Sequence, residues 1–169
     1  MADVHTHVLA GFIVGTLLSF RYDWLGPEHV TLVMIGALAP DFIKINILIS
    51  DAAVTALLGI PFSWAPLHQL GGAVLVILLG SLLPAPEYRT RAFALFAIGV
   101  ATHFVLDWLL LTATGYAFPV FWPLTEWRPP AGNLYLSSDR WPALVAGMLA
   151  VGVWYVRVRV WGEPAVEAR

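Results

Sequence analysis

Five ionisable side chains stand inside or against apolar runs of this sequence. They are His7 in "VHTHVLAG", Asp41 in "LAPDF", His68 in "PLHQLGG", and His103 with Asp107 in "THFVLDW". Ionisable groups at such depth are expensive, so by default they mark function. Imidazole and carboxylate are ligands that zinc takes, with iron and manganese as alternatives. Three His and two Asp suffice for a two-metal site sharing a bridging Asp, within an expected range of one to three divalent ions. Such a site activates water and stabilises attacking and leaving oxygens in phosphoester hydrolysis.

Each residue also has a plainer role open to it. His103 and Asp107 are four apart, so on a helix they share one face and can ligate one metal. A hydrogen-bonded His–Asp pair that locks helix packing uses the same spacing. Asp41 follows a helix break at Pro40, where a carboxylate is also a good helix cap. His68 opens an apolar segment and is followed by Gly71 and Gly72, but a single interfacial His is often structural. His7 abuts the first apolar run, while His5 stands further out as a possible additional ligand. No G-x-S-x-G elbow and no glycine-rich phosphate loop is present.

The elements that must position these residues are membrane helices. The 169 residues are 59% hydrophobic and 12% charged, against about 25% charged in soluble domains, and the mean hydropathy is +0.77. The net charge of -2 offers no basic patch for nucleic acid. With no Cys, disulfides, iron–sulfur clusters and thiol nucleophiles are excluded. The start of the chain lacks the basic region and small-residue cleavage site of a signal peptide. Apolar segments run over 8–20, 30–50, 52–62, 70–83, 92–111 and 142–161. The expected fold is all-α: one domain, 1–169, a polytopic helical bundle of about five transmembrane helices plus short re-entrant or interfacial helices. Pro40 should end one helix and begin another, and 52–62 is too short to span.

Arg21, Arg89, Arg91, Arg157 and Arg159 fall on one side if the spans alternate, which places that side and the C-terminus in the cytoplasm. Trp161 would anchor the last span there. Arg128 and Arg140 fall on the other side. The N-terminus then faces outward, as does the segment 112–141, an aromatic-rich cap. Counting helical rise from the cytoplasmic ends puts His7, Asp41, His68 and His103 all roughly 18–22 Å up, with Asp107 one turn higher. Unrelated structural residues have no reason to agree in depth.

In order, "THVLAG", "APDF", "PLHQLGG", "THFVLDWLL" and "FWPL" resemble the YdjM-like family of inner-membrane proteins, described as metal-dependent hydrolases, over residues 5–125. The family pattern is Thr-His, Pro-Asp, His-Arg-Gly-x-x-His-Ser, His-x-x-x-Asp and Trp-Pro-Phe. The His-x-x-x-Asp helix is more distantly similar to those of zinc-dependent phospholipase C. The resemblance implies a prokaryotic inner-membrane location, a helical fold and phosphoester chemistry at metal ions. His68 matches the second His of the third motif, but Ser63 stands at the first, and Trp64 and Ala65 replace Arg-Gly.

The resulting expectation is a membrane-embedded metal-dependent hydrolase acting on a phosphate ester, such as a phospholipid. Its ligands are His7, Asp41, His68, His103 and Asp107, of which Asp41, His103 and Asp107 also serve catalysis. Asp51, Glu126 and Asp139 are additional carboxylates that no spacing favours. Two alternatives stand beside it. One is a non-enzymatic scaffold in which a metal or a His–Asp network holds short helices together. The other is a small proton-coupled transporter, against which the lack of an internal repeat counts.

Overall fold

Asp3 decides where the first helix begins. Its carboxylate accepts hydrogen bonds from the Thr6 N–H at 3.0 Å and the Thr6 hydroxyl at 2.6 Å, so α1 (Val4–Ser19) takes in both His5 and His7. The structure is a computed structural model that describes residues 3–160. Pro27 opens α2 (Pro27–Leu38), where its missing N–H costs nothing. A second helix was expected to start at Pro40. A new helical element does begin there, a 3-10 helix, Ala39–Ile47, which follows α2 with no gap. Pro40 stands in its first turn, where the missing N–H costs nothing.

A short helix α3 (Asp51–Leu58) and a 3-10 turn at Ala65–His68 lead into α4 (Leu70–Ser81). A 3-10 turn at Pro86–Tyr88 precedes α5 (Arg89–Trp108). After a long irregular segment comes α6 (Trp141–Tyr155), which ends in one wide turn of π-helix, Val156–Val160. Trp161 lies outside the described residues. Among the described residues no strand forms; two isolated bridges, Leu110 with Tyr135 and Tyr116 with Pro130, are the only pairing in the irregular segment.

The fold is therefore all-helical. Among the described residues, three stretches are long and apolar enough to cross a membrane: Pro27–Ile47, Pro86–Trp108 and Trp141–Val160. The first of these exists because the 3-10 helix prolongs α2. α1 and α4 are apolar but shorter, at 16 and 12 residues, so length supports three spans where about five were expected.

α2 lies centrally, against α1 on one side and α5 on the other. Its crossing with α5 depends on two glycines. A Cβ on Gly36 would lie 2.2 Å from the Phe96 carbonyl oxygen, and one on Gly99 would lie 2.1 Å from that of Val33. Small residues of this kind let helix backbones approach within a membrane. Val33, Leu95, Phe96 and Val100 fill the core around the crossing. Leu79, Leu83, Leu144 and Met148 point outward, as apolar residues do where the surrounding solvent is lipid.

Candidate metal centre

Four stretches of chain converge on one buried point. α1 brings His7, the 3-10 helix after α2 brings Asp41, the turn before α4 brings His68, and α5 brings His103 and Asp107 from one face. His7 and His103 are 0% exposed, His68 2% and Asp41 6%, and the Asp107 side chain 8%.

Asp107 is the hub. Its Oδ2 lies 2.8 Å from His68 Nε2 and 3.4 Å from His103 Nε2, and its Oδ1 lies 3.5 Å from His7 Nε2. The Nε2 atoms of His68 and His103 are 3.1 Å apart. His7 stacks on His103 with ring centroids 3.7 Å apart. Donor atoms of His7, His103 and Asp107 lie within 4.8 Å of one another, as do those of Asp41, His68 and His103.

This donor set fits a divalent cation on three grounds. Bonds of about 2.0–2.1 Å in a tetrahedron set neighbouring ligand atoms about 3.3 Å apart, and the four separations above, 2.8 to 3.5 Å, bracket that value. The His103 Nδ1–H donates to the Ala37 carbonyl oxygen at 2.7 Å, which leaves Nε2 as the lone-pair nitrogen facing the cluster. Metal-ligating histidines are oriented in this way. Finally, both ring nitrogens of His7 and Oδ1 of Asp41 are buried without a hydrogen-bond partner. The 3.5 Å approach of His7 to Asp107 is too long to count as one. Orphaned polar atoms cost about 1–3 kcal/mol each. A His–Asp network alone satisfies His68 and Asp107 and leaves these atoms at that cost, whereas a cation in the His7 group would take one His7 lone pair and a cation in the Asp41 group would take one from Asp41.

The other candidates lie elsewhere. The His5 side chain is 87% exposed, with Nδ1 3.4 Å from Asp3 Oδ1, so it does not join the cluster. Asp51 accepts from the Ser63 hydroxyl at 3.1 Å and the Trp64 N–H at 3.0 Å. Ser63, at the position of the first family His, is thus committed to a surface turn. Asp139 Oδ2 accepts from the Leu136 N–H at 2.8 Å, and Glu126 is exposed.

Several residues outside the five support the site in ways their sequence does not display. Lys44 Nζ lies 2.7 Å from Asp41 Oδ2 and holds that carboxylate from its outer side. The "FWPL" stretch docks onto the start of α4, where the N–H groups of Leu70 and Gly71 donate to the Val120 and Trp122 carbonyls at 2.7 and 3.0 Å. That contact fixes the turn holding His68, and Phe118 closes over the His68 ring edge-on at 5.3 Å.

Tyr135 ties the irregular segment to α5 by donating its hydroxyl to the Leu106 carbonyl at 2.8 Å. Burial, reinforced by the negative charges of Asp107 and Asp3, pushes its hydroxyl up to about 12. The folded value lies above the unfolded one of about 10, so this stabilisation is complete below about pH 10 and fades as pH rises towards 12. Ultraviolet titration of wild type against Tyr135→Phe should show one tyrosine with delayed ionisation missing from the variant. A difference that titrates at the ordinary tyrosine value would contradict the burial argument.

No curated protein and no solved structure matches the chain. The profile described as YdjM inner membrane protein matches residues 1–166, nearly the whole length, and the chain belongs to that family.

Proposed function

We propose that this protein is a membrane-embedded, metal-dependent hydrolase of phosphate esters, with His7, Asp41, His68, His103 and Asp107 as ligands and zinc as the metal. The observation that carries the reading is the convergence of five costly polar side chains, from four separate stretches, with donor atoms at ligand spacing. When bound, a divalent metal supplies Lewis-acid polarisation of a phosphoryl oxygen and a water of lowered pKa. The chain does the rest. Ala37 fixes the His103 tautomer. Asp107, facing three imidazoles, and Asp41 supply the negative charge that retains a cation. Lys44, the chain's only lysine, stands one carboxylate away from the centre, and we assign it the phosphate-orienting role left vacant by Trp64 and Ala65. α1 and α4 act as short fourth and fifth spans, with the N-terminus, the site and the segment 112–141 towards the outer face.

A second reading has its own support. All five side chains are nearly inaccessible, and closed sites with four protein ligands are typically structural. In that reading the metal pins α1, α2, α4 and α5 together and nothing is turned over.

The test is a panel of phosphomonoesters, phosphodiesters and phospholipids assayed in detergent with zinc-loaded wild type, His103→Ala and Lys44→Gln. Hydrolysis lost in His103→Ala, and lowered in Lys44→Gln with metal content retained, supports the hydrolase. A metal-loaded wild type inert towards the whole panel leaves the scaffold. Turnover that survives His103→Ala would remove the site from catalysis.

A further inference from the structure

Two cavities adjoin at Leu32 and Pro84, and the outer of them lies at the end of the molecule away from the metal centre. The outer one, about 750 Å³, is polar and is lined by Glu28, His29, Tyr88 and Arg91. The inner one, about 530 Å³, is apolar and runs past Ile35, Val76, Gly80 and Phe96 to Phe42. The polar cavity sits where two of the span-length helical stretches begin, and the apolar one follows those stretches inward. From Leu32 to Phe42 the rise is about 15 Å, half of the roughly 30 Å hydrocarbon core. That is the depth one acyl chain occupies in a single leaflet.

The polar residues select the headgroup. Arg91 is held over the Trp24 ring at 5.1 Å, and Trp24 meets His29 edge-on, also at 5.1 Å. His29 Nδ1 accepts from the Gly26 N–H at 3.1 Å. Glu28 Oε1 lies 3.0 Å from that same Nδ1. One guanidinium and one carboxylate therefore line one cavity. A purely anionic headgroup would satisfy Arg91 but face Glu28. A choline headgroup brings a cation with no N–H to donate. A phosphate joined to a primary ammonium meets both charges.

We propose that this paired cavity is a binding site for phosphatidylethanolamine, with its phosphate on Arg91, its ammonium on Glu28 and an acyl chain in the apolar groove. The lipid is resident and is not the substrate. Arg91 and His103 are twelve residues apart on α5, about 18 Å of helical rise, so a phosphate on Arg91 cannot reach the metal centre. The inference stands whether or not the protein is a hydrolase.

The test uses the full chain in detergent, incubated with an equimolar mixture of dioleoyl phosphatidylethanolamine, phosphatidylcholine and phosphatidylglycerol. Retained lipid is read by native mass spectrometry. Wild type should keep phosphatidylethanolamine over the other two by about tenfold, the effect of one charge-assisted hydrogen bond. Glu28→Gln should abolish the preference over phosphatidylglycerol. Arg91→Gln and Gly80→Leu, which fills the groove beside Phe96, should lower retention of all three lipids. Arg21→Gln, an exposed arginine outside both cavities, should change nothing. A helical circular-dichroism spectrum and a melting temperature equal to those of wild type certify that each variant is folded. Equal retention of the three lipids by wild type overturns the proposal, as does a preference that survives Glu28→Gln. Loss of retention in Arg21→Gln matching that in Arg91→Gln would show a non-specific lipid shell and overturn it as well.

Discussion

His103→Ala is expected to strip the metal from the purified protein and to abolish the thermal stabilisation that metal confers. His103 is the only one of the five residues present in both donor groups, so its loss dismantles whichever ion position is filled. Partners that merely orient a ligand change affinity by about 10–100-fold, and removal of a shared ligand should exceed that range. The variant also leaves the Ala37 carbonyl without its 2.7 Å donor and His7 without its stacking partner. Elemental analysis should find metal in wild type and in His5→Ala, and almost none in His103→Ala. A chelator should lower the melting temperature of wild type and His5→Ala towards that of His103→Ala, and should leave the last unchanged. A wild type that binds no metal would show that the cluster is a hydrogen-bonded network, and equal metal in wild type and His103→Ala would remove His103 as a ligand.

The contrast between His5 and His7 shows what the sequence could reveal. Successive helical residues turn by about 100°, so positions two apart look in nearly opposite directions. Once Asp3 caps α1 ahead of both histidines, only one can face the bundle, and His7 does. The apolar run alone put the helix start too late, because the Asp3 cap lies ahead of it. The five ligand candidates were readable because charge inside apolar sequence is rare, and because their depths agreed. Lys44 was not, since its bond to Asp41 requires the i, i+3 closeness of a 3-10 helix, and the sequence around Pro40 read as a break. The Ala37 carbonyl has no signature at all, because every residue has one. The count of about five spans is matched by length for three stretches among the described residues. α1 and α4 are as apolar as spanning helices but end early, and composition does not register where a helix stops. The "FWPL" stretch was visible as a motif, yet its work is backbone pairing with the start of α4, which only the tertiary structure displays.

Gly99→Ala is expected to damage the metal centre without touching a ligand. A methyl at that position meets only backbone: the Val33 carbonyl oxygen at 2.1 Å, the Ala37 nitrogen at 2.5 Å and the Gly36 carbonyl carbon at 2.7 Å. No side-chain rotation relieves such contacts, so α2 and α5 must separate. Overpacking of this kind costs about 1–3 kcal/mol or somewhat more. The consequence travels one turn along each helix. Gly99 and His103 are four apart on α5 and share a face, and Ala37, which holds His103, directly follows Gly36 on α2. Asp41 follows within the same continuous helical stretch. Separation therefore lengthens the His103–Ala37 hydrogen bond and draws Asp41 away from His68 and His103. We expect zinc affinity, measured by competition with a chromogenic chelator, to fall about 10–100-fold, the range for lost ligand orientation. Gly147→Ala and Gly152→Ala supply the comparison. A Cβ at either meets nothing within 4 Å, so both should bind zinc as wild type does and gain slightly in stability from helix propensity. If Gly99→Ala lowers the melting temperature while zinc affinity stays at the wild-type value, the helix crossing and the metal centre are energetically separate. The close approach of α2 to α5 would then serve packing alone.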